Sequence, residues 1–97
     1  MKVLIIEDSQ ELAKSLRLFL ELENNHVECA YDLATASHYI SVTHFDIILL
    51  DIMLPDGDGR DFLRSVRARN KNIPVIVMTA RSEISDRVDL LDIGADD

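Results

Sequence analysis

Three acidic residues directly follow short apolar segments in this 97-residue chain. Glu7 and Asp8 come after the run at 3–6 (VLII), and Asp51 comes after the run at 47–50 (IILL). In a parallel α/β sheet, ligands bind outside the carboxyl ends of the strands, at the topological switch point. If the two runs are neighbouring strands, the carboxylates converge there and raise one another's pKa. A divalent cation such as Mg²⁺, which prefers oxygen ligands, would relieve that repulsion.

Asp51 can also react, because an aspartate beside such a cation can attack phosphorus and accept a phosphoryl group. The metal would neutralise charge that develops on the phosphoryl oxygens. Residues 52–59 (IMLPDGDG) hold a proline, two glycines and a helix-capping aspartate, so they can fold tightly over the site. Thr79 ends the next apolar run, and its hydroxyl can donate a hydrogen bond to an aspartyl-phosphate oxygen.

Each of these residues also has a purely structural interpretation. Asp8 can cap the first helix, Asp51 can be a polar strand terminus, and Thr79 can be a β-branched residue at the end of a strand. The DGDG loop is also ordinary turn chemistry. Only the joint placement of the acidic pair, the single acid and the hydroxyl at three strand ends favours a functional site.

The elements that must position these residues alternate between strand and helix patterns. The continuously apolar runs at 3–6, 47–50 and 75–78 predict strands covered on both faces, and the run at 26–30 predicts an edge strand. Helical spacing follows each strand, which predicts a doubly wound α/β fold with a parallel sheet and right-handed crossovers.

The four expected helices differ in their caps and buried faces. They are a first helix capped by Asp8 or Ser9 that buries Leu12, Leu16, Phe19 and Leu20; a second capped by Asp32 that buries Leu33, Ala36 and Ile40; a third capped by Asp58 that buries Phe62, Leu63 and Val66; and a fourth with Ile84, Val88 and Leu91 that ends at Gly94.

Composition narrows the remaining function classes. The chain has 10 Lys+Arg against 18 Asp+Glu, a net charge of −8, so its surface repels nucleic-acid phosphates and anionic lipids. A single cysteine, Cys29, fits a reducing compartment, and no apolar run approaches the ~20 residues of a membrane span. The N-terminus reaches the Glu7–Asp8 pair too early for a signal peptide. We therefore expect a cytoplasmic protein with no membrane contact.

Four segments together resemble the receiver domain of two-component response regulators. They are residues 5–9 (IIEDS), 50–59 (LDIMLPDGDG), 74–81 (PVIVMTAR) and 94–97 (GADD). The resemblance covers the whole chain, and its closing segments are most similar to OmpR/PhoB-type transcriptional regulators. It implies a flavodoxin-like (CheY-like) fold with strand order 2-1-3-4-5.

The resemblance also implies a role for each site residue. Asp51 would accept a phosphoryl group from the histidine of a sensor histidine kinase, with Mg²⁺ required. Asp8, Asp51 and the backbone carbonyl of Met53 would bind the metal, and Glu7 would act through water. Thr79 would be the switch hydroxyl. The domain would be a phosphoacceptor with self-catalysed phosphotransfer and autodephosphorylation, and not an enzyme acting on external substrates.

The sequence departs from the family pattern at its end. Receiver domains carry a lysine after a fifth strand, an aromatic switch residue just before it and a fifth helix, and a chain that stops at Asp97 contains none of these positions. We expect residues 1–97 to be a truncated receiver with four strand–helix pairs, the fifth pair and the DNA-binding effector domain being absent. The parent protein would form a homodimer and contact DNA only through that effector domain.

Two other function classes remain open. A haloacid-dehalogenase-type phosphatase also forms an aspartyl phosphate, but it places a second aspartate two residues after the nucleophile, and here that position is Met53. A phosphorylation-independent interaction module is the other alternative, since the lysine position is missing. Nucleotide binding is disfavoured because the chain has neither GxGxxG nor GxxxxGK[ST].

Overall fold

A computed structural model describes residues 1–69 and 72–78 of the chain. Six strands and three helices lie within these ranges. In chain order they are β1 (Lys2–Ile6), α1 (Gln10–Leu22), β2 (His26–Ala30), α2 (Leu33–Val42), β3 (Ile47–Asp51), β4 (Met53–Leu54), β5 (Gly57–Asp58), α3 (Gly59–Ala68) and β6 (Val75–Met78).

Four of the strands form one parallel sheet in the order β2-β1-β3-β6, which confirms the predicted fold class and strand order for the described strands. β1 lies in the middle, with Ile6 opposite Ala30 of β2 on one side and Leu50 of β3 on the other. One residue beyond the Ile6–Leu50 pair, the chain presents Glu7 and Asp51 at the same edge of the sheet.

The sheet is covered on both faces, as the continuously apolar strands predicted. Alternate residues of β1 enter two different clusters: Leu4 and Ile6 pack with α2 and α3, whereas Val3 and Ile5 pack with α1. The larger cluster buries Ala36 and Ile40 of α2 and Phe62, Leu63 and Val66 of α3. The helices therefore pack on opposite faces of the sheet and stabilise the positions of its strand ends.

The buried face predicted for α1 is partly wrong. Leu12 and Phe19 are 47% and 65% exposed, whereas Ala13 is fully buried and Leu16 and Leu20 pack against the sheet. Apolar residues on α1 form more than one helical stripe, and periodicity alone does not show which stripe faces the sheet. The small side chain of Ala13 lets the helix approach the sheet closely, and that contact sets its rotation.

The helix caps agree with the predicted candidates and resolve one alternative. Ser9 caps α1 by accepting a hydrogen bond from the Leu12 N–H at 3.3 Å. Asp32 and Asp58 cap α2 and α3. Because Ser9 takes the first cap, the side chain of Asp8 is left available at the strand end.

The loop after β3 is more ordered than the predicted turn. β4 and β5 pair as a small antiparallel hairpin, with Met53 opposite Asp58 and Leu54 opposite Gly57. The Gly59 N–H closes its base by donating to the Ile52 carbonyl at 2.7 Å. This hairpin fixes the path of the chain between Asp51 and α3.

Several sequence-based predictions lie outside the described residues. The fourth helix, with Ile84, Val88, Leu91 and Gly94, and the Thr79 hydroxyl belong to this group. β6 stands at one edge of the sheet among the described strands. Over the same residues, no helix has both the length and the apolar character needed to cross a membrane.

Gly59 generates a stability prediction, because a Cβ there would lie 2.7 Å from the Asp51 carbonyl oxygen and 2.9 Å from the Ile52 Cα. We expect Gly59→Ala to destabilise the chain by about 1–3 kcal/mol through this clash, although alanine ordinarily favours a helix. Urea unfolding measures the effect, with the exposed Asp61→Ala as control. An unchanged or higher stability of Gly59→Ala would contradict the close approach.

Candidate functional site

Three carboxylates meet at the carboxyl edge of the sheet. Glu7, Asp8 and Asp51 each offer one oxygen, and these oxygens all lie within 4.8 Å of one another. Glu7 is buried, Asp51 is half-buried and Asp8 is exposed. The cluster therefore extends from the protein interior to solvent, so that an ion can reach it from outside.

Backbone hydrogen bonds fix two of these carboxylates. The Glu7 N–H donates to the Ala30 carbonyl at 3.0 Å, which extends the β1–β2 ladder by one residue. The Glu7 Oε1 accepts from the Ser9 N–H at 3.3 Å, and the Asp51 Oδ1 accepts from the Met53 N–H at 3.4 Å. Both side chains are thus oriented by the chain that immediately follows them.

Burial, together with the neighbouring carboxylates, raises the pKa of Glu7 from 4.5 to about 7. Burial is the largest cause, followed by the hydrogen bond and negative charge of Asp51, while the negative charge of Asp8 adds a smaller effect. The Ser9 N–H acts in the opposite direction. Near neutral pH and without a cation, Glu7 is therefore protonated in a large fraction of the molecules.

This donor set fits a hard divalent cation. Mg²⁺ takes oxygen ligands, usually one or two protein carboxylates together with water and substrate phosphates. A bound cation would offset the negative charge of Asp8 and Asp51, which adds to the effect of burial on Glu7. Among the described residues, no other group of three His, Cys, Asp or Glu side chains is close enough to hold a metal.

The other two predicted site residues, Met53 and Thr79, are not part of this carboxylate cluster. Met53 is the first residue of β4, two positions after Asp51, and its side chain is 60% exposed. Its backbone contacts the site through the N–H, which donates a hydrogen bond to the Asp51 Oδ1. Thr79, the expected switch hydroxyl, lies outside the described residues.

The sequence interpretation missed Asp56, which it treated as part of a turn. Its carboxylate accepts hydrogen bonds from the Leu33 and Ala34 N–H groups at the start of α2. No local pattern indicates this contact, because 22 or 23 residues separate the partners.

Comparisons with known proteins agree with this geometry. The model of the response regulator receiver domain family matches residues 3–97. The chain is 43% identical over 96 residues to the response regulator ArlR of Staphylococcus saprophyticus, covering 99% of this chain and 43% of that protein. It is 41% identical to the transcriptional regulatory protein PmrA of Pectobacterium parmentieri, covering all of this chain and 44% of that protein.

Solved structures give the same result for the fold. The receiver domain of the Francisella response regulator 1452 superposes with a TM-score of 0.95 at 30% identity, covering 99% of this chain and 79% of that one. A two-component response regulator from Clostridium difficile gives a TM-score of 0.96 at 31% identity, covering 100% and 79% of the two chains.

The relatives also confirm the resemblance to OmpR/PhoB-type regulators that the motifs indicated. The chain spans less than half the length of these two curated relatives. Carboxylates at the ends of β1 and β3, a four-stranded sheet of the expected order and a family match over residues 3–97 all agree, and the chain therefore belongs to the response regulator receiver domain family.

Proposed function

We propose that this chain is a phosphoacceptor in which Asp51 receives a phosphoryl group from the histidine of a sensor kinase. Asp8, Asp51 and the Met53 carbonyl would hold Mg²⁺, and Glu7 would act on it through water. The observation that carries this proposal is the approach of the Glu7, Asp8 and Asp51 oxygens to within 4.8 Å.

The family supports the same chemistry. Receiver domains of response regulators generally bind Mg²⁺ and are phosphorylated by sensor histidine kinases; they are regulators rather than classical enzymes. In the proposed transfer, an Asp51 carboxylate oxygen forms a bond to phosphorus as the bond between phosphorus and the kinase histidine nitrogen breaks. Mg²⁺ would supply positive charge for the phosphoryl oxygens during this exchange.

The placement of the three acids supports a different role for each. Asp51 is half-buried and oriented by the Met53 N–H, so its carboxylate is held in one position while remaining accessible. Asp8 is exposed and is not the residue that caps α1, which leaves it available to a metal. Glu7 is buried behind them, in keeping with contact to the ion through water.

The same site is poorly suited to turnover of external substrates. The position where a haloacid-dehalogenase-type phosphatase has its acid/base aspartate is Met53, whose side chain can neither donate nor accept the required proton. We propose that phosphotransfer and autodephosphorylation are the reactions of this domain, and that Thr79 supplies the switch hydroxyl.

In a longer protein built like the transcriptional regulators that it matches, we propose that phosphorylation of this domain controls an attached DNA-binding domain. The net charge of −8 supports DNA contact through such a domain rather than through this one. Homodimerisation of that protein and action in the cytoplasm belong to the same proposal.

Phosphorylation of the chain tests the assignment of Asp51. In the presence of Mg²⁺ and acetyl phosphate, we expect intact-mass spectrometry to show one added phosphate that is lost on treatment with hydroxylamine or alkaline buffer. Asp51→Asn removes the attacking carboxylate and abolishes the uptake, whereas the exposed Asp61→Asn retains it. No uptake by a chain extended to include the lysine position of receiver domains, or equal uptake by Asp51→Asn, would contradict the proposal.

The raised pKa of Glu7 predicts how stability depends on pH. The folded chain holds a proton at Glu7 up to about pH 7, whereas the unfolded chain releases it near 4.5, so metal-free stability falls as pH rises through that window. Thermal unfolding at several pH values measures the slope. Glu7→Gln, which cannot ionise, flattens it, and so does saturating Mg²⁺, which favours the ionised cluster. A slope unaffected by both would contradict the proposed origin of the shift.

A further inference from the structure

We propose that Asp56 is a positioning residue, which holds the β4–β5 hairpin against the first turn of α2 and thereby keeps the loop around Asp51 ready to bind metal. The inference rests on the proposed function, because it concerns the loop that carries the Met53 carbonyl. It assigns a role to a residue that touches neither the acidic cluster nor the phosphoryl group.

The first contact is a bridge between the two segments through the Asp56 carboxylate. Its Oδ1 accepts from the Leu33 N–H at 2.8 Å, and its Oδ2 accepts from the Ala34 N–H at 3.0 Å. The first N–H groups of a helix have no partner within the helix. Asp32 satisfies the Thr35 N–H at 2.7 Å, so Asp56 supplies acceptors for the two N–H groups that Asp32 leaves over.

The hairpin and α2 also meet through an apolar contact, between Gly57 and the Leu33 side chain. Gly57 lies so near α2 that an added Cβ would be 2.9 Å from the Leu33 Cδ1, and its φ of +158° suits glycine. The Leu33 side chain itself packs against the core cluster under α2 and α3. The turn of the hairpin therefore packs against the first turn of α2 through a polar contact of Asp56 and an apolar contact of Gly57.

Because the hairpin is short, fixing its turn against α2 also restricts Met53, which lies beside Asp51. Asp56 lies in the two-residue turn between Leu54 and Gly57, and Met53 pairs with Asp58 at the other end. The base of the hairpin is fixed where the Gly59 N–H donates to the Ile52 carbonyl. With base and tip both anchored, Met53 has little freedom to move relative to Asp51, whose Oδ1 accepts its N–H.

Charge at Asp56 is directed toward α2 rather than toward the metal cluster. The Leu33 N–H bond, reinforced by that of Ala34, keeps the pKa of Asp56 below its usual value. The carboxylate therefore stays ionised at neutral pH and favours the positive end of the helix dipole. Removing the Asp56 carboxylate can therefore lower metal affinity in two ways: by releasing the hairpin or by removing a negative charge. Different variants separate these two effects.

Titration of the ¹⁵N-labelled chain with Mg²⁺, followed through the amide signals of Glu7, Asp8 and Asp51, provides the test. Asp56→Ala frees the hairpin tip, and we expect it to weaken Mg²⁺ binding about tenfold, as loss of an outer-shell partner does. Asp56→Asn removes the charge but keeps an oxygen that accepts one of the bonds, so it retains most of the affinity.

Asp32→Ala is the matched control, because it removes a cap from the same helix without touching the hairpin. Under the proposal, it leaves Mg²⁺ affinity unchanged while lowering stability. If Asp56→Ala binds Mg²⁺ as tightly as the unsubstituted chain, the proposal is overturned. Equal losses in Asp56→Ala and Asp32→Ala indicate general weakening of α2, and equal losses in Asp56→Ala and Asp56→Asn indicate charge alone; either result also overturns it.

Amide hydrogen exchange separates failure of this proposal from failure of the proposed function. If the natural chain does not respond to Mg²⁺, the metal site is wrong, but the hairpin contact can still be measured. Asp56→Ala is then expected to speed exchange of the Gly59 N–H, which closes the hairpin base, whereas Asp32→Ala does not. Unchanged Gly59 exchange in Asp56→Ala would overturn the positioning role by itself.

Discussion

Repulsion among three converging carboxylates is the constraint on which the rest of this structure depends. The register that places Ile6 opposite Leu50 also brings the next residues, Glu7 and Asp51, to one edge of the sheet. Burial of Glu7 and its closeness to Asp51 together raise the pKa of Glu7. The two buried clusters on the faces of the sheet stabilise the fold against this repulsion. The three carboxylates are also a donor set that suits a divalent cation.

The loop after Asp51 gives the site its order. A free loop would leave the backbone beside Asp51 unorganised, and ordering that backbone on binding a ligand would carry an entropic cost. Here the chain folds directly into a hairpin whose base is closed at Gly59 and whose tip meets α2 through Asp56. The loop after Asp51 and α2 therefore form one connected unit, although they are distant in sequence.

Local sequence patterns correctly predicted the features that depend on neighbouring residues in the chain. Continuous apolar runs identified the buried strands, cap residues such as Asp32 and Asp58 marked helix starts, and strand ends located the acidic cluster. The patterns failed where tertiary contacts decide the outcome. The rotation of α1 depends on how closely Ala13 approaches the sheet, and the partner of Asp56 lies 22 or 23 residues away.

The most direct test of the central claim is to locate the cation itself. A crystal structure of the chain grown with Mn²⁺, which replaces Mg²⁺ and scatters anomalously, would show where a dication binds. We expect an anomalous peak in contact with the carboxylates of Asp8 and Asp51 and with the Met53 carbonyl oxygen. Saturating Mn²⁺ with no peak between these carboxylates would contradict it.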